Sequence, residues 1–194
     1  MTLLKPVNPS HPLRTDLRRR LHGLRDAFAA RADEHDEAMG RHLSQLLEAL
    51  QPECLGLYWP VRSEFNAASA CLADTGLHET ALALPYSRRE PPAMQYRLWN
   101  RAAPTLRDEC RVPSIDGAPV VPDVVLAPCL GYTRSGLRIG YGGGFFDRFL
   151  AAHPHVTAVG VAWSVCEVLA DQIGAEAHDV PMMMIVTELG VVSE

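Results

Sequence analysis

VPDVVLAPCLGYTRSGLRIGYGGGFFDRFL, residues 121–150, is the stretch on which the fold turns. Residues 123–128 form a nearly continuous apolar run, the mark of a strand buried on both faces. A short excursion follows, and then Gly140, Gly142, Gly143 and Gly144 crowd around Tyr141. Bulky FFDRFLAAH (145–153) comes next and reads as a helix closed by Pro154. Strand, glycine turn and helix make one βα unit. Its turn lies at the carboxyl end of the strand, where open α/β sheets gather their ligands. Glycine is costly to order, so a cluster this dense implies a sharp bend or a close approach to something else.

The same alternation extends outward. Residues 54–60, 80–85, 94–99, 156–163 and 183–188 read as strands. Residues 13–31 place Leu13, Leu17, Leu21, Leu24 and Phe28 at steps of three and four, an amphipathic helix. Residues 36–50, 66–76 and 164–172 read as further helices, with Gly76 as a C-cap for the third. Residues 100–122, rich in Pro, Arg and Asp, are expected to be a surface loop. The fold class is therefore α/β: a mostly parallel central sheet with helices on both faces, in three layers. A chain of 194 residues suits one domain spanning 1–194.

Composition narrows the function. The net charge is −5, without the basic excess of a nucleic-acid binder. No apolar run is long enough to span a membrane, and MTLLKPVNPSHP has no signal-peptide core. The five cysteines are scattered and never form a C-x-x-C pair, which suits reduced thiols in a cytoplasmic protein and disfavours zinc.

The glycines precede a helix N-terminus, whose free N–H groups and dipole favour an anion. Arg138 adds a cation shaped for phosphate. Asp147, in the first helical turn, is placed for a metal that rides on phosphates. The plain alternative is a tight turn with a helix-stabilising acid. No Gly-Lys-Ser/Thr follows, so this is not a Walker loop. Nor is it G-x-G-x-x-G, because Phe145 stands where the last glycine belongs.

These residues resemble the signature of the 5-formyltetrahydrofolate cyclo-ligase (methenyltetrahydrofolate synthetase) family. RTDLR (14–18) is similar to that family's basic N-terminal pair, YWPVRSEFN (58–66) to its strand-then-Glu segment, and HDVPMMMIVTE (178–188) to its closing segment. The resemblance implies a scaffold like that of sugar-phosphate isomerases and CoA transferases (NagB/RpiA-like). It implies conversion of 5-formyltetrahydrofolate to 5,10-methenyltetrahydrofolate with ATP as cosubstrate and Mg²⁺ as cofactor.

By the same resemblance, Arg14, Arg18 and Arg138 contact ATP, with Gly140, Gly142, Gly143, Gly144, Phe145 and Phe146 forming the nucleotide cradle. Arg138 and Tyr141 take the catalytic roles. Glu64 bonds the pterin, whose site also takes in Trp59, Tyr141, Gly142, Gly143, Gly144 and Phe145. Asp147 and Asp179 form the metal pair. Without the resemblance, Arg14 and Arg18 read as part of a solvated basic face shared with Arg19, Arg20 and Arg25. The sequence departs from the family at Arg14 (usually Lys), Cys129, Thr133, Cys166 and Met183. The expected partners are small molecules, with no nucleic acid and no membrane, and the chain is expected to be a monomer. A non-catalytic nucleotide- or folate-binding protein on the same scaffold is the alternative.

Overall fold

In a computed structural model that describes residues 12–31 and 33–192, one eight-stranded sheet organises the chain. In chain order the elements are α1 (Pro12–Ala29), α2 (Asp33–Leu50), β1 (Cys54–Gly56), α3 (Ala67–Ala73), β2 (Ala81–Arg88), β3 (Ala93–Trp99), β4 (Leu106–Arg107), β5 (Pro113–Ser114) and β6 (Pro119–Val120). There follow β7 (Val124–Pro128), β8 (Gly131–Tyr132), β9 (Arg138–Ile139), α4 (Phe145–Ala152), β10 (Thr157–Val161), α5 (Ala170–Ile173), β11 (Met184–Thr187) and β12 (Gly190–Val192). The main sheet runs β12-β11-β10-β7-β1-β2-β3-β6. Its five central strands are parallel, and β12, β3 and β6 pair antiparallel at the two edges.

Alternation along the parallel strands builds the layers. Leu82, Leu84, Val124, Leu126, Val159 and Val186 face α2 and α3, where Met39, Leu43 and Leu47 pack on them. Ala83, Val125, Ala127, Ala158 and Ile185 face the other way, beneath Phe149 and Leu150 of α4. The alanines on this second face let α4 lie close to the sheet. A third apolar cluster lies apart from these: Leu17 and Leu21 of α1 pack on Leu130, Ile139, Cys166, Val168 and Ile173. These partners all follow the carboxyl ends of β7 and β10, so α1 lies across that end of the sheet. No described helix is long and apolar enough to cross a membrane.

Several expected boundaries move, each for a tertiary reason. The first strand stops at Gly56. Leu57 N still bonds Ala83 O (2.8 Å), but the Tyr58 hydroxyl donates to Phe65 O (2.8 Å) and the chain turns away. The third helix ends at Ala73; Gly76 lies in a following 3-10 turn, its N–H held by the Asp74 carboxylate (2.8 Å). The helix expected over 164–172 does not form as one piece. Glu188 captures Ser164, and Val168 N bonds Tyr132 O (2.8 Å), so the chain is extended between a 3-10 turn at Ser164–Cys166 and the short α5. The loop over 100–122 contains the β4–β5 pair and β6. Leu24 of the expected apolar stripe is 41% exposed, and Leu13 has a side chain outside the described residues.

Candidate active site

The segments that follow β1, β7, β10 and β11 converge at the carboxyl end of the sheet, under α1. Glycine content there has a local cause. Gly142 (φ 94°) and Gly144 (φ 61°) adopt the left-handed conformation that side-chain-bearing residues avoid. Gly144 is also the N-cap of α4 and offers no side-chain bond, so the first N–H groups of that helix are left without a cap. Tyr141, Gly142 and Gly143 are exposed.

Arg18 reaches this loop from α1. Its Nε donates to Gly140 O (2.9 Å), and its guanidinium lies in ordinary contact range of where a Gly142 side chain would begin (3.4 Å). Among the described residues, its two terminal nitrogens make no hydrogen bond. Burial, then the nearby Arg14, lowers its pKa from the ordinary guanidinium value. It is a partly buried cation beside an open helix start, an arrangement suited to an anion.

Arg14 and Arg138 are engaged differently. Arg14 is 7% exposed and every nitrogen is used: Nε donates to Ile173 O (3.1 Å), Nη2 to Gly174 O (2.9 Å), and both Nη atoms to the Asp179 carboxylate. It ties α1 to the 173–179 segment. Burial pushes Asp179 upward, but its bonds from Arg14 and from Glu176 N outweigh this and leave its pKa below the ordinary value. Arg138 is buried beneath the loop, its Nη1 shared between Asp147 Oδ1 (2.9 Å) and Val180 O (3.1 Å). Asp147 Oδ1 also accepts from Val180 N (3.3 Å). The two expected metal carboxylates thus both lie beside Val180, and each is paired with an arginine.

A fit test for a divalent cation separates them. Asp179 has both oxygens occupied, by Arg14 and Glu176 N. Asp147 Oδ2 has no hydrogen-bond partner among the described residues and lies in the first turn of α4. No cluster of three or more metal-ligating side chains exists among the described residues, so an ion at Asp147 would draw its other oxygens from water or a bound phosphate.

Glu64 lies deeper. Its side chain is 4% exposed, with Oε2 accepting from Val61 N (2.7 Å) and Oε1 accepting from the Tyr141 hydroxyl (2.7 Å). Burial raises its pKa above the ordinary carboxylate value, against the opposing bonds from Tyr141 and Val61. Tyr141 therefore joins the glycine loop to the acid pocket. Trp59 packs edge-on against Trp99 (6.2 Å, 84°). Phe145 lies under the Arg148 guanidinium (5.3 Å) and Phe146 under that of Arg138 (5.9 Å).

One arginine of the expected solvated face lies inside the molecule instead. Arg25 was grouped with the solvated face, yet it is 1% exposed. Its Nε donates to Ser63 Oγ (3.1 Å) and its Nη2 to the Tyr141 hydroxyl (2.6 Å). The available signal was spacing: Arg14, Arg18 and Arg25 stand four and seven apart, on the helix face that carries Leu17 and Leu21. Two of the departures are also accounted for. The Thr133 hydroxyl accepts from Leu137 N (3.2 Å), holding the β8–β9 turn, while Met183 is 62% exposed.

A model of the 5-formyltetrahydrofolate cyclo-ligase family matches residues 10–188. The 5-formyltetrahydrofolate cyclo-ligase of Mycolicibacterium smegmatis is 46% identical over 65 residues, 34% of this chain and 33% of that protein. That of Escherichia coli K12 is 32% identical over 79 residues, 39% of this chain and 43% of that protein. The matched stretch thus spans less than half the length of either curated relative. The NMR structure of Aquifex aeolicus 5,10-methenyltetrahydrofolate synthetase superposes with a TM-score of 0.74 at 25% identity, covering 93% of this chain and 92% of that one. A Mycoplasma pneumoniae 5,10-methenyltetrahydrofolate synthetase shares the fold at 17% identity, with a TM-score of 0.70 over 90% of this chain and 98% of that one.

Proposed function

The chain belongs to the 5-formyltetrahydrofolate cyclo-ligase family, and from that premise we propose that it cyclises 5-formyltetrahydrofolate to 5,10-methenyltetrahydrofolate, with ATP converted to ADP and phosphate. The observation that carries this reading is the contact between Tyr141 of the glycine loop and the buried Glu64 (2.7 Å). It sets a candidate phosphate cradle directly beside a candidate pocket for a donor-rich heterocycle.

The chemistry asks for both. A formamide oxygen leaves poorly, so it must first be activated. The formyl oxygen attacks the γ-phosphorus and the bond to the ADP oxygen breaks. N10 then attacks the formyl carbon, the carbon–oxygen bond breaks to release phosphate, and N10 gives up its proton. The protein's part is positioning and neutralisation of charge. Arg18, the N–H groups at the start of α4 and the loop from Gly140 to Gly144 would hold the phosphates, with Phe145 and Phe146 backing the loop. Arg138 adds buried positive charge beneath them. Arg14 acts by holding the 173–179 segment in place. Glu64 accepts from the pterin, and Tyr141 orders the boundary between the two ligands. Mg²⁺, when bound, would offset phosphate charge during the transfer. Asp147 Oδ2 is the protein atom that would reach it.

The test is the absorbance of the methenyl product with 5-formyltetrahydrofolate, with and without ATP and Mg²⁺, alongside folate-dependent ADP release. Product formed only when all three are present is the expected result. ADP release that does not depend on the folate, or no product at all, would overturn the proposal.

A further inference from the structure

Arg25 makes an incomplete set of bonds. Its Nη1 is buried and without a hydrogen-bond partner among the described residues, and Glu64 Oε1 lies 3.7 Å away. An unpaired buried donor on a charged group is costly, and an acceptor on a ligand would relieve that cost. The neighbourhood suggests one. The Tyr141 hydroxyl accepts from Arg25 Nη2 (2.6 Å) and donates to Glu64 Oε1 (2.7 Å). It satisfies a donor and an acceptor side by side with a single atom. A cyclic amide edge, a carbonyl next to an N–H, offers the same pair of functions.

The geometry points to Arg25 as a specificity-determining residue that, with Glu64, reads the amide edge of the ligand's ring, with the Tyr141 hydroxyl as its stand-in when the site is empty. This rests on the folate reading of the pocket and deepens it. In a pterin the edge is C4=O beside N3–H: Arg25 donates to the carbonyl oxygen and Glu64 accepts from the N–H. Arg25 Nη1 then gains the partner it lacks.

The surroundings favour a displaceable Tyr141. The cavity bounded by Arg25, Tyr58, Glu64, Phe65, Cys129 and Trp163 has space of only about 10 Å³, room for one water at most. A ring therefore meets Arg25 and Glu64 not inside this cavity, which Tyr141 does not line, but at the place that the Tyr141 hydroxyl holds. Tyr141 is 44% exposed and flanked by Gly140 and Gly142, so its backbone can turn at small cost, whereas Arg25 and Glu64 are fixed from below by Ser63 and Val61. A roomier groove of about 460 Å³, lined by Ser44, Glu48, Gln51, Asp74 and Thr80, lies by the amino ends of β1 and β2, away from these groups.

The experiment titrates three probes against wild type, Arg25→Met and Tyr141→Phe: 5-formyltetrahydrofolate, pterin and 2,4-diaminopteridine, whose C4 amine replaces the carbonyl. ATP is titrated in parallel, and thermal melts report folding. Arg25→Met is expected to weaken pterin and 5-formyltetrahydrofolate at least tenfold while ATP binding persists. It should also erase the wild-type preference for pterin over 2,4-diaminopteridine, a change that loss of packing alone would not produce. Tyr141→Phe removes the stand-in hydroxyl and is expected to tighten pterin binding several-fold. If Arg25→Met does not fold, the Tyr141→Phe result decides: unchanged or weaker pterin binding overturns the proposal. Equal preference for the two pteridines in wild type also overturns it. Should wild type bind pterin but neither bind nor convert 5-formyltetrahydrofolate, the functional reading falls, and loss of pterin in Arg25→Met still supports the role of Arg25.

Discussion

The Tyr141 hydroxyl donates to Glu64 Oε1 at 2.7 Å although the two residues are 77 positions apart in the chain. One lies in a glycine loop between β9 and α4, the other in the turn that leaves β1. Parallel strands β1 and β7 are hydrogen-bonded neighbours, so their carboxyl ends deliver both loops to one place. The proposed division of labour, phosphates on one side and pterin on the other, follows from that adjacency.

Glu64→Gln is expected to raise the Michaelis constant for 5-formyltetrahydrofolate and to leave ATP affinity in place, because its proposed partner is the pterin. The wild type should show an acid limb that the variant lacks. Burial raises the Glu64 pKa, so the carboxylate takes up a proton, and loses its acceptor role, above the ordinary carboxylate range of about 4.3. For stability the sign is reversed: a raised carboxyl disfavours the fold while charged, and this penalty is relieved as pH falls through the raised value. Calorimetric titration of each ligand across pH reads both effects. Normal folate binding by Glu64→Gln would remove this residue from the site.

Asp147→Asn and Asp179→Asn are expected to behave differently. Asp147 offers an ion riding on phosphate an Oδ2 that bonds no described residue, so its variant should need more Mg²⁺ for half-maximal turnover. Asp179 is occupied by Arg14, so its variant should keep the Mg²⁺ requirement and lose stability instead. Turnover measured against Mg²⁺ concentration separates the two, and an equal shift in both variants would restore Asp179 as a metal contact.

The Arg14–Asp179 pair should carry its own pH signature. Both side chains are largely buried (9% and 10% exposed), and removing one partner is expected to cost about 1–3 kcal/mol, between exposed and fully buried pairs. The Asp179 pKa is depressed, so its contribution is present above the unfolded carboxylate value of about 3.9 and is lost as pH falls through the lower folded value. Urea unfolding of wild type and Asp179→Asn should therefore differ at neutral pH and converge in strong acid.

Arg18→Ala should weaken ATP binding by about 1.5–3 kcal/mol, the worth of a charge-assisted contact, with little change in thermal stability. Gly143→Val should weaken ATP binding too, by displacing the loop, since a Cβ at 143 would stand 2.7 Å from the Phe145 ring. Unaltered nucleotide affinity in both variants would make the loop a turn and nothing more.

The alternation of buried runs with amphipathic segments was enough to read the βα architecture from the chain alone. A strand such as 124–128 is apolar because both faces are covered, and a segment such as 145–152 shows its helix by period. The glycine loop was equally legible, because left-handed backbone at Gly142 and Gly144 is a local demand of the chain. Tertiary structure decided what local preference could not. Residues 164–172 have helical composition, but the Glu188 carboxylate and the Tyr132 carbonyl capture their backbone and hold the middle extended. The arginines of α1 look alike in sequence, yet Arg14 is bound to Asp179, Arg18 has terminal nitrogens that bond no described residue, and Arg25 is buried against Tyr141. A guanidinium's role depends on which acceptors surround it, and here those come from segments up to 165 residues away, brought together only when the sheet has formed.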